Sequence, residues 1–370
     1  MSRFNVGGTS LWIFNNTEAF TKLGVQSFLV VGECPETEKE DYRLNSLKNK
    51  KLVGLGPKQS FYSTLRAFLE LRKVIREYQP DIINTHTSKA GLIGRLAAVV
   101  GSHDAALVHT YHGHVFTGYF SRPVKALIWL AEFLLSKLTD FFFITGSKVR
   151  DDLKIRRIIN DGNSIVVYPT IFDLADDYMK NSNNEKDDKT KSGRLRVGSL
   201  GRKVKIKRLD RVVELATLRP NIDFVIAGDG VPLQELVGDG FVIASLQNIK
   251  EIGYIRPEDF WIDIDVCLIT SDNEGIPSSP LEAALFKIPI IATDVGSVDE
   301  TLVNSKTGIL CKPTIDSLLI ALDSLDRDRI KATEMGELGR KFVLEKFNQM
   351  QSAQIQLDGY KSALRISKKL

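Results

Sequence analysis

The chain has 370 residues, which is long enough for two domains. Its residues are 43% hydrophobic and 26% charged, a balance typical of a globular protein. Its formal net charge of +4 is too small to argue for nucleic acid, and its three scattered cysteines form neither a disulfide framework nor a metal-ligand cluster. The first 175 residues nevertheless carry 22 basic and 16 acidic side chains, and this local excess indicates an anionic partner for the first half.

The chain also lacks the segments that would send it into or across a membrane. No apolar leader opens it. The longest apolar stretch, 126–135, is interrupted by Glu132 and falls short of the roughly 18–20 residues that a membrane-spanning helix needs. Because few, separated cysteines suit a reducing compartment, the sequence predicts a cytoplasmic protein without a membrane span.

Short apolar strands alternate with helices along most of the chain. The first turn signal, Val6-Gly7-Gly8-Thr9, comes so early that strand one is either very short or incomplete at its start, and we expect the second. Strands are then predicted at 27–32, 81–85, 106–110, 141–145, 164–168, 195–200, 223–227, 266–270 and 289–293, and helices at 65–78, 209–217 and 280–286. Near-continuous apolar strands separated by helices indicate parallel sheets covered on both faces.

The polar segment KNSNNEKDDKTKSG, at 180–193, divides this pattern near its middle. It has no aliphatic residue, so it is predicted to be a linker, with a surface loop inside one domain as the alternative. The expected domains are 1–178 and 194–345, joined by a linker at 179–193, with a C-terminal helix at 346–370 that packs back on the first domain. The fold class is therefore α/β, with two doubly wound, Rossmann-like domains facing across a cleft where ligands bind.

A cationic loop, GRKVKIKR at 201–208, lies between a predicted strand and a predicted helix. Arg202 and Lys207, at the carboxyl end of a strand and beside a helix N-terminus, can neutralise a diphosphate without a metal. A solvated basic loop is the alternative. The chain contains neither Gly-x-Gly-x-x-Gly nor Gly-x4-Gly-Lys-Ser/Thr, so a dinucleotide site and a P-loop are unsupported.

An acidic loop and helix start follow in SDNEGIPSSPLEAA, at 271–284. Pro280 suits the first turn of a helix, and the N–H groups around Ser278 and Ser279 then form an anion-binding nest. Glu274 and Glu282 can both face that nest, where carboxylates accept hydrogen bonds from neighbouring hydroxyls. The alternative is a capping acid plus an acid on the helix surface.

In this order and spacing, the two segments resemble the retaining, nucleotide-sugar-dependent glycosyltransferases of family 4, which have the GT-B fold. Four further stretches carry the resemblance over nearly the whole chain: NTHTSKAGLIGRLA at 84–97, HTYHGHVFTGYFS at 109–121, FVIAGDGVP at 224–232 and IPIIATDVGSVDE at 288–300. The first two look like the subset that builds bacterial surface polysaccharides. The resemblance implies an N-terminal domain that binds the acceptor and a C-terminal domain that binds the nucleotide sugar.

The resemblance also implies roles for single residues. His112 and Glu274 are the expected catalytic residues, with His112 orienting the donor and Glu274 at the donor sugar. The expected donor-binding residues are Gly8, Arg202, Lys207, Ile276, Ser278, Ser279 and Glu282. Arg202 and Lys207 would bind the diphosphate, and Glu282 the ribose hydroxyls. On the acceptor side we expect His86, Ser88, Lys89 and His114, with simple loop capping or a core histidine as the alternative.

The implied reaction moves a hexose, with retention, from a nucleoside diphosphate sugar to a hydroxyl of a glycan or polyprenyl-diphosphate-linked acceptor, in cell-surface polysaccharide biosynthesis. We expect no essential cofactor or metal and no nucleic-acid partner, and we interpret Asp263-Ile-Asp265 as a loop motif because it precedes a strand. A GT-B-fold sugar-nucleotide epimerase and a non-catalytic sugar-nucleotide-binding protein are the alternatives.

The chain departs from the family pattern in the cationic loop and at one helix end, and one aromatic stretch suggests a surface contact. Lys203 and Lys205 replace an apolar residue and a proline, which adds charge to the loop and loosens its turn. Lys287 stands where glycine is common at a helix end, and a left-handed lysine there costs about 1 kcal/mol unless a different turn avoids that conformation. The aromatic and basic stretch 115–138 is predicted to rest on an anionic membrane surface, so that the protein is peripheral to the inner face of the cell membrane, with a buried helix as the alternative. The residues named for that contact are Phe116, Tyr119, Phe120, Arg122, Lys125 and Trp129.

Overall fold

The computed structural model describes residues 1–35, 39–55, 61–101, 104–114, 116, 121–171, 193–240 and 242–367. The chain divides into two compact units: the first unit is Met1–Thr170 with Gln349–Leu370, and the second unit is Ile171–Asn348. The C-terminal helix therefore belongs to the first unit. Apart from Gly193, the predicted linker 179–193 lies outside the described residues.

The described residues form helices and parallel strands in alternation. The helices are α1 (Gly8–Lys22), α2 (Phe61–Tyr78), α3 (Ser88–Gly101), α4 (Arg122–Ser136), α5 (Ser147–Ile155), α6 (Leu209–Leu218), α7 (Leu233–Val237), α8 (Pro257–Trp261), α9 (Ser278–Leu285), α10 (Ile315–Arg327), α11 (Arg329–Lys346) and α12 (Gln349–Ser367). The strands are β1 (Leu29–Gly32), β2 (Lys50–Val53), β3 (Ile82–His86), β4 (Ala106–Tyr111), β5 (Phe141–Ile144), β6 (Ser164–Val166), β7 (Arg196–Leu200), β8 (Asp223–Ala227), β9 (Ile249–Ile252), β10 (Val266–Ile269), β11 (Ile290–Thr293) and β12 (Gly308–Cys311).

The second unit is a doubly wound sheet whose strand order identifies where a ligand would bind. Its six parallel strands run β12-β11-β10-β7-β8-β9. The chain moves outward from β7 to β9, then crosses back to β10 and moves outward on the other side. In such a sheet ligands bind outside the carboxyl ends of the strands where the direction reverses, here β7 and β10.

The first unit has four parallel strands in the order β3-β4-β5-β6 and a parallel pair, β1-β2. Side chains alternate between the two faces of the larger sheet. On one face Asn84 accepts from Thr110 and donates to the Tyr360 hydroxyl of α12, both at 2.9 Å. On the other face Thr85 contacts His109 at 2.8 Å. The α12 helix packs closely, since a Cβ at Gly359 would overlap the ring of Phe143.

The nine strands predicted with bounds are strands in the structure, whereas the expected strand one before Gly7 is only an isolated bridge between Asn5 and Glu40. Among the described residues, three strands were missed. β2, β9 and β12 lie at sheet edges, and the residues KKLV of β2 and IKEI of β9 are mostly exposed or half-buried. β2 and β9 therefore lack the continuous apolar run that marks a buried parallel strand. Before α1, the N-terminal residues run beside β1, where the Gly32 N–H donates to the Met1 carbonyl at 3.2 Å.

Lys287 follows the end of α9 with φ at 60°, in the left-handed region where glycine is favoured. Its ammonium pairs with Glu337 at 2.9 Å, but both side chains are exposed, so the pair contributes little. Lys287→Gly is therefore expected to raise the free energy of unfolding by about 1 kcal/mol. Urea unfolding checks this against Lys287→Ala, which removes the ion pair and keeps the strain; an equal gain from alanine would contradict the conformational explanation.

Candidate active site

The cationic loop after β7 is held against the loop that follows β8. The N–H of Lys203 donates to the Asp229 carbonyl at 2.8 Å, and the N–H of Gly201 donates to the Ala227 carbonyl at 2.9 Å. A Cβ at Gly228 or Gly230 would overlap the backbone of the cationic loop. The Ala-Gly-Asp-Gly segment thus fixes the cationic loop by letting two backbones approach closely.

Lys203 does not add charge to the face of this loop. Its side chain is buried and pairs with Glu251 of β9, whose carboxylate also accepts from the Leu233 N–H at 3.2 Å. The expectation of added charge is therefore wrong for Lys203, because the pairing neutralises its ammonium. Lys205 is exposed.

Lys207 and Glu274 form the central contact of the site. Lys207 Nζ donates to Glu274 Oε1 at 2.6 Å, and the Ser271 hydroxyl donates to the same oxygen at 2.5 Å. The side chain of Glu274 is 11% exposed and that of Lys207 is 25% exposed. The two loops are joined as well, since Thr270 Oγ1 donates to the Lys207 carbonyl at 2.9 Å and the Asp272 N–H donates to the Ile206 carbonyl at 2.9 Å. The loops after β7 and β10 therefore present a lysine and a carboxylate together.

The loop after β11 contacts the backbone of Glu274 and fixes its position. The Ser297 N–H donates to the Glu274 carbonyl at 3.3 Å. Gly296 has φ at 55°, and a Cβ there would overlap that same carbonyl. Only glycine tolerates both the positive φ and this close approach, so Gly296 sets the position of Glu274. The motif at 288–300 contains Gly296, but this role was not predicted from the sequence.

The other donor-side residues surround the same strand ends. Arg202 is exposed and forms no ion pair within the described part of the chain, and it lines a small pocket with Lys207 and Ser271. The remaining donor-side residues of the second unit are placed on or just before α9: Ser278 and Ser279 open the helix, Glu282 is half-buried within it, and half-buried Ile276 precedes it. The first N–H groups of a helix lack intrahelical partners and favour anions.

Arg208 and Asp272 hold the loops after β7 and β10 together, a role that was not predicted from the sequence. Arg208, left-handed with φ at 50°, donates to Asp210 at 2.7 Å and to Asp272 at 3.0 Å. Arg211 reaches Asp272 at 2.7 Å and donates to the Thr270 carbonyl at 2.7 Å. Arg208 and Asp272 are 64 residues apart in the sequence, so no local pattern predicts that they pair.

In the first unit, two histidines that were predicted to be site residues lie in contact at the carboxyl ends of β3 and β4. His86 Nδ1 lies 3.0 Å from His112 Nε2. Burial lowers the pKa of both, that of His112 to about 3. Trp12 of α1 packs edge-on against the His112 ring at 5.0 Å between centroids, and nothing in the sequence distinguished it from a core aromatic. The pair is therefore neutral near pH 7, one ring donating and the other accepting.

The remaining predicted residues of the first unit lie at helix starts or just after β4. Exposed Ser88 opens α3, half-buried Lys89 follows it, and Gly8 opens α1. His114 is half-buried, burial lowers its pKa, and its Nε2 has no hydrogen-bond partner among the described residues.

The buried histidines of the first unit predict a loss of stability in acid. His86 and His109 are both buried, and burial lowers the pKa of each well below its ordinary value near 6.5. The unfolded chain therefore binds more protons below about pH 6.5, and each residue costs up to about 1.4 kcal/mol per further pH unit. Urea unfolding at descending pH should show this loss, and His109→Gln should make it shallower; an unchanged slope would contradict the assignment.

Asp263-Ile-Asp265 lies at the opposite end of the second sheet. Asp265 accepts from the Arg196 N–H at 2.8 Å, at the start of β7. Within the described ranges, no three His, Cys, Asp or Glu side chains converge as metal ligands would. Likewise, no helix in the described part of the chain is long and apolar enough to cross a membrane.

Comparisons with known proteins match both halves of the chain. The model described as Glycosyltransferase Family 4 matches residues 6–174, and the model described as Glycosyl transferases group 1 matches residues 180–342. The O-antigen biosynthesis glycosyltransferase WbnH of Escherichia coli is 23% identical over 354 residues, which cover 94% of this chain and 95% of that protein. The UDP-Gal:alpha-D-GlcNAc-diphosphoundecaprenol alpha-1,3-galactosyltransferase of Escherichia coli is 26% identical over 286 residues, 73% of each chain.

Among solved structures, Anabaena Alr3699/HepE in complex with UDP superposes with a TM-score of 0.76 at 16% identity, and the match covers 98% of both chains. At this low identity the likeness concerns the fold.

Proposed function

We propose that this chain transfers a hexose from a nucleoside diphosphate sugar to a lipid-linked glycan, with retention at the anomeric carbon. The chain belongs to the group 1 glycosyltransferases and carries a family 4 N-terminal half. The GT-B fold and the glycosyltransferase class predicted from the sequence are confirmed. The observation that carries the finer proposal is the Lys207–Glu274 contact beside exposed Arg202, at the strand ends where a doubly wound sheet binds ligands.

The diphosphate would lie against Arg202, Lys207 and the start of α9. Breaking the bond to the sugar leaves negative charge on the departing phosphate, and preorganised positive groups stabilise that charge. Lys207 has further ammonium hydrogens, so it can hold Glu274 and a phosphate oxygen together. No metal is required in this proposal, since the chain's own cations supply the charge.

The two glutamates would recognise hydroxyl groups. Glu282, half-buried in the first turns of α9, suits the neighbouring ribose hydroxyls. Glu274, fixed by Lys207 and Ser271, suits the hydroxyls of the transferred sugar. Neither acts as a covalent nucleophile here. The acceptor hydroxyl attacks the face that the phosphate leaves, and the departing phosphate takes its proton, while neutral His112 orients the sugar and its phosphate.

The relatives suggest the substrate classes. UDP is bound in the HepE structure, and one relative is named as a UDP-Gal:alpha-D-GlcNAc-diphosphoundecaprenol alpha-1,3-galactosyltransferase. We infer a UDP-hexose donor and a polyprenyl-diphosphate-linked acceptor in cell-surface polysaccharide synthesis, with His86, Ser88, Lys89 and His114 on the acceptor side. The protein would then work on the cytoplasmic face of the membrane.

A donor screen tests the proposal. UDP-, GDP-, ADP- and dTDP-sugars are compared for their effect on the melting temperature, because a ligand that binds only the folded state raises it. We expect UDP-hexoses to raise it and expect the Arg202→Ala, Lys207→Ala double variant to lose the response. The same shift in the double variant would contradict the assigned site. Conversion of the donor sugar without any acceptor would favour an epimerase instead.

The outer face of α4 is the proposed contact with an anionic membrane. Leu127, Leu130 and Leu134 are 67%, 46% and 58% exposed, and Arg122 and Lys125 lie in the first turn of the same helix. Exposed leucines beside basic residues suit insertion among anionic headgroups. Phe116 does not take part, because it is buried and its ring lies under the Arg156 guanidinium. Tyr119 and Phe120 lie outside the described residues.

Co-sedimentation with anionic phospholipid vesicles tests this contact. The Leu127→Asp, Leu134→Asp variant should reduce binding by about tenfold or more, because it removes apolar contact and adds like charge. Ile330→Asp is the matched control, since Ile330 is 76% exposed on α11 of the second unit. Equal binding by the two variants would contradict docking through α4.

A further inference from the structure

Behind the histidine pair, on the other face of β4, lies a buried network of charge. Arg95 of α3 donates from Nη2 to Glu132 Oε2 of α4 at 2.8 Å, and the Tyr111 hydroxyl donates to the same oxygen at 2.7 Å. The three residues are 0%, 4% and 2% exposed. Tyr111 is the last residue of β4, and His112 follows it directly. The network therefore ends one residue from the histidine pair.

The network extends to the end of β3. Arg95 Nε donates to the Gly91 carbonyl at 2.9 Å, and a Cβ at Gly91 would lie 2.6 Å from His109 Cε1. His109 Nδ1 lies 2.8 Å from the Thr85 hydroxyl, and its ring meets the Tyr111 ring edge-on at 4.5 Å. The last residues of both strands are thus held from this face, while Trp12 packs against His86 and His112 on the other.

Stability alone does not account for such a pair. Replacing a buried ion pair by well-packed apolar residues is often neutral or stabilising by about 1–4 kcal/mol. Arg95 Nη1 is buried without a hydrogen-bond partner among the described residues, and an unsatisfied donor costs about 1–3 kcal/mol. What the network does supply is a fixed orientation for the Tyr111 side chain. Glu132 accepts one hydrogen bond from Arg95 of α3 and one from Tyr111 of β4.

We propose that Arg95 and Glu132 are positioning residues of the transfer reaction, which act through Tyr111 to hold the end of β4 so that His112 meets His86. The inference rests on the proposed function only in giving His112 a part in that reaction. Removal of the network leaves the strand paired but lets its last residues shift, and the hydrogen bond of 3.0 Å between the two histidines is lost.

Histidine-selective ¹⁵N NMR tests this without any substrate, because the chain has only five histidines. The main variant, Arg95→Met with Glu132→Leu, keeps the volume and removes the charges. It should melt at or above the wild-type temperature, yet the His86 and His112 ring signals should change from one tautomer to a mixture. Tyr111→Phe, which removes one hydroxyl and leaves the ion pair, should produce the same change. Glu132→Gln, which still accepts from Tyr111, should preserve the wild-type signals.

The control is Ile75→Ala in α2, a buried residue of the first unit in a core cluster that does not include Tyr111, which loses stability and should keep both signals. Where a sugar donor is turned over, Tyr111→Phe should lower kcat by about tenfold and leave KM for the donor unchanged. Wild-type His86 and His112 signals in folded Tyr111→Phe and in the double variant would overturn the proposal. Because these signals need no donor, that result would leave the donor assignment standing.

Discussion

Lys207→Ala is expected to lower kcat/KM for the sugar donor by about 10²–10³-fold, the usual cost of removing one group that stabilises transition-state charge. Two effects add in the same direction. The departing phosphate loses a charge-assisted hydrogen bond, and among the described residues Glu274 retains the Ser271 hydroxyl as its side-chain partner. An unpaired carboxylate at that position repels the diphosphate.

Lys205→Ala is the matched control for that variant. Lys205 lies two residues earlier in the same loop and is exposed, so its removal changes the net charge equally without touching Glu274. Initial rates of nucleotide release should separate the two variants by at least about tenfold. Equal losses would mean that only the general charge of the loop matters and that Lys207 has no specific role.

Gly296→Ala is expected to lower kcat by about 10²-fold, although residue 296 carries no side chain that could touch a substrate. Its φ of 55° disfavours alanine, and the new Cβ would overlap the Glu274 carbonyl. The two backbones must separate, so Glu274 moves away from Lys207. A displacement of about 1 Å in a catalytic group is enough for a loss of this size.

The control for this variant is Gly240→Ala, since a Cβ at Gly240 meets nothing within 4 Å. Both proteins are compared for rate and for melting temperature. The account expects Gly296→Ala to remain folded with a low rate and Gly240→Ala to match the wild type. A folded Gly296→Ala protein with the wild-type rate would show that Glu274 is not held in the way described.

The sequence predicted the strands that form the centre of each sheet, and with them the loops that carry Arg202, Lys207 and Glu274. This worked because buried parallel strands are continuous apolar runs and their carboxyl ends share one edge. It also predicted that Pro280 would lie in the first turn of a helix, as it does in α9. Local pattern was sufficient wherever the function depends on a strand end or a helix start.

What the sequence could not predict are contacts between distant residues. Lys203 pairs with Glu251, 48 residues away, and Arg95 with Glu132, 37 residues away. From the loop pattern alone Lys203 counted as added positive charge, because nothing local identifies its partner. Whether an aromatic side chain is covered is equally a tertiary property: Phe116, which precedes α4, is buried under Arg156, and for that reason it was wrongly predicted to face a membrane.

The most direct test of the central claim follows a labelled sugar. UDP-hexoses labelled in the sugar are incubated with the protein and a cell-envelope lipid extract, and both the lipid fraction and the free nucleotide sugar are analysed. The account predicts label in the lipid fraction with the wild type and with Lys205→Ala, and its loss with the Arg202→Ala, Lys207→Ala double variant. Label that stays on the nucleotide as a different sugar, or equal transfer by the double variant, would contradict it.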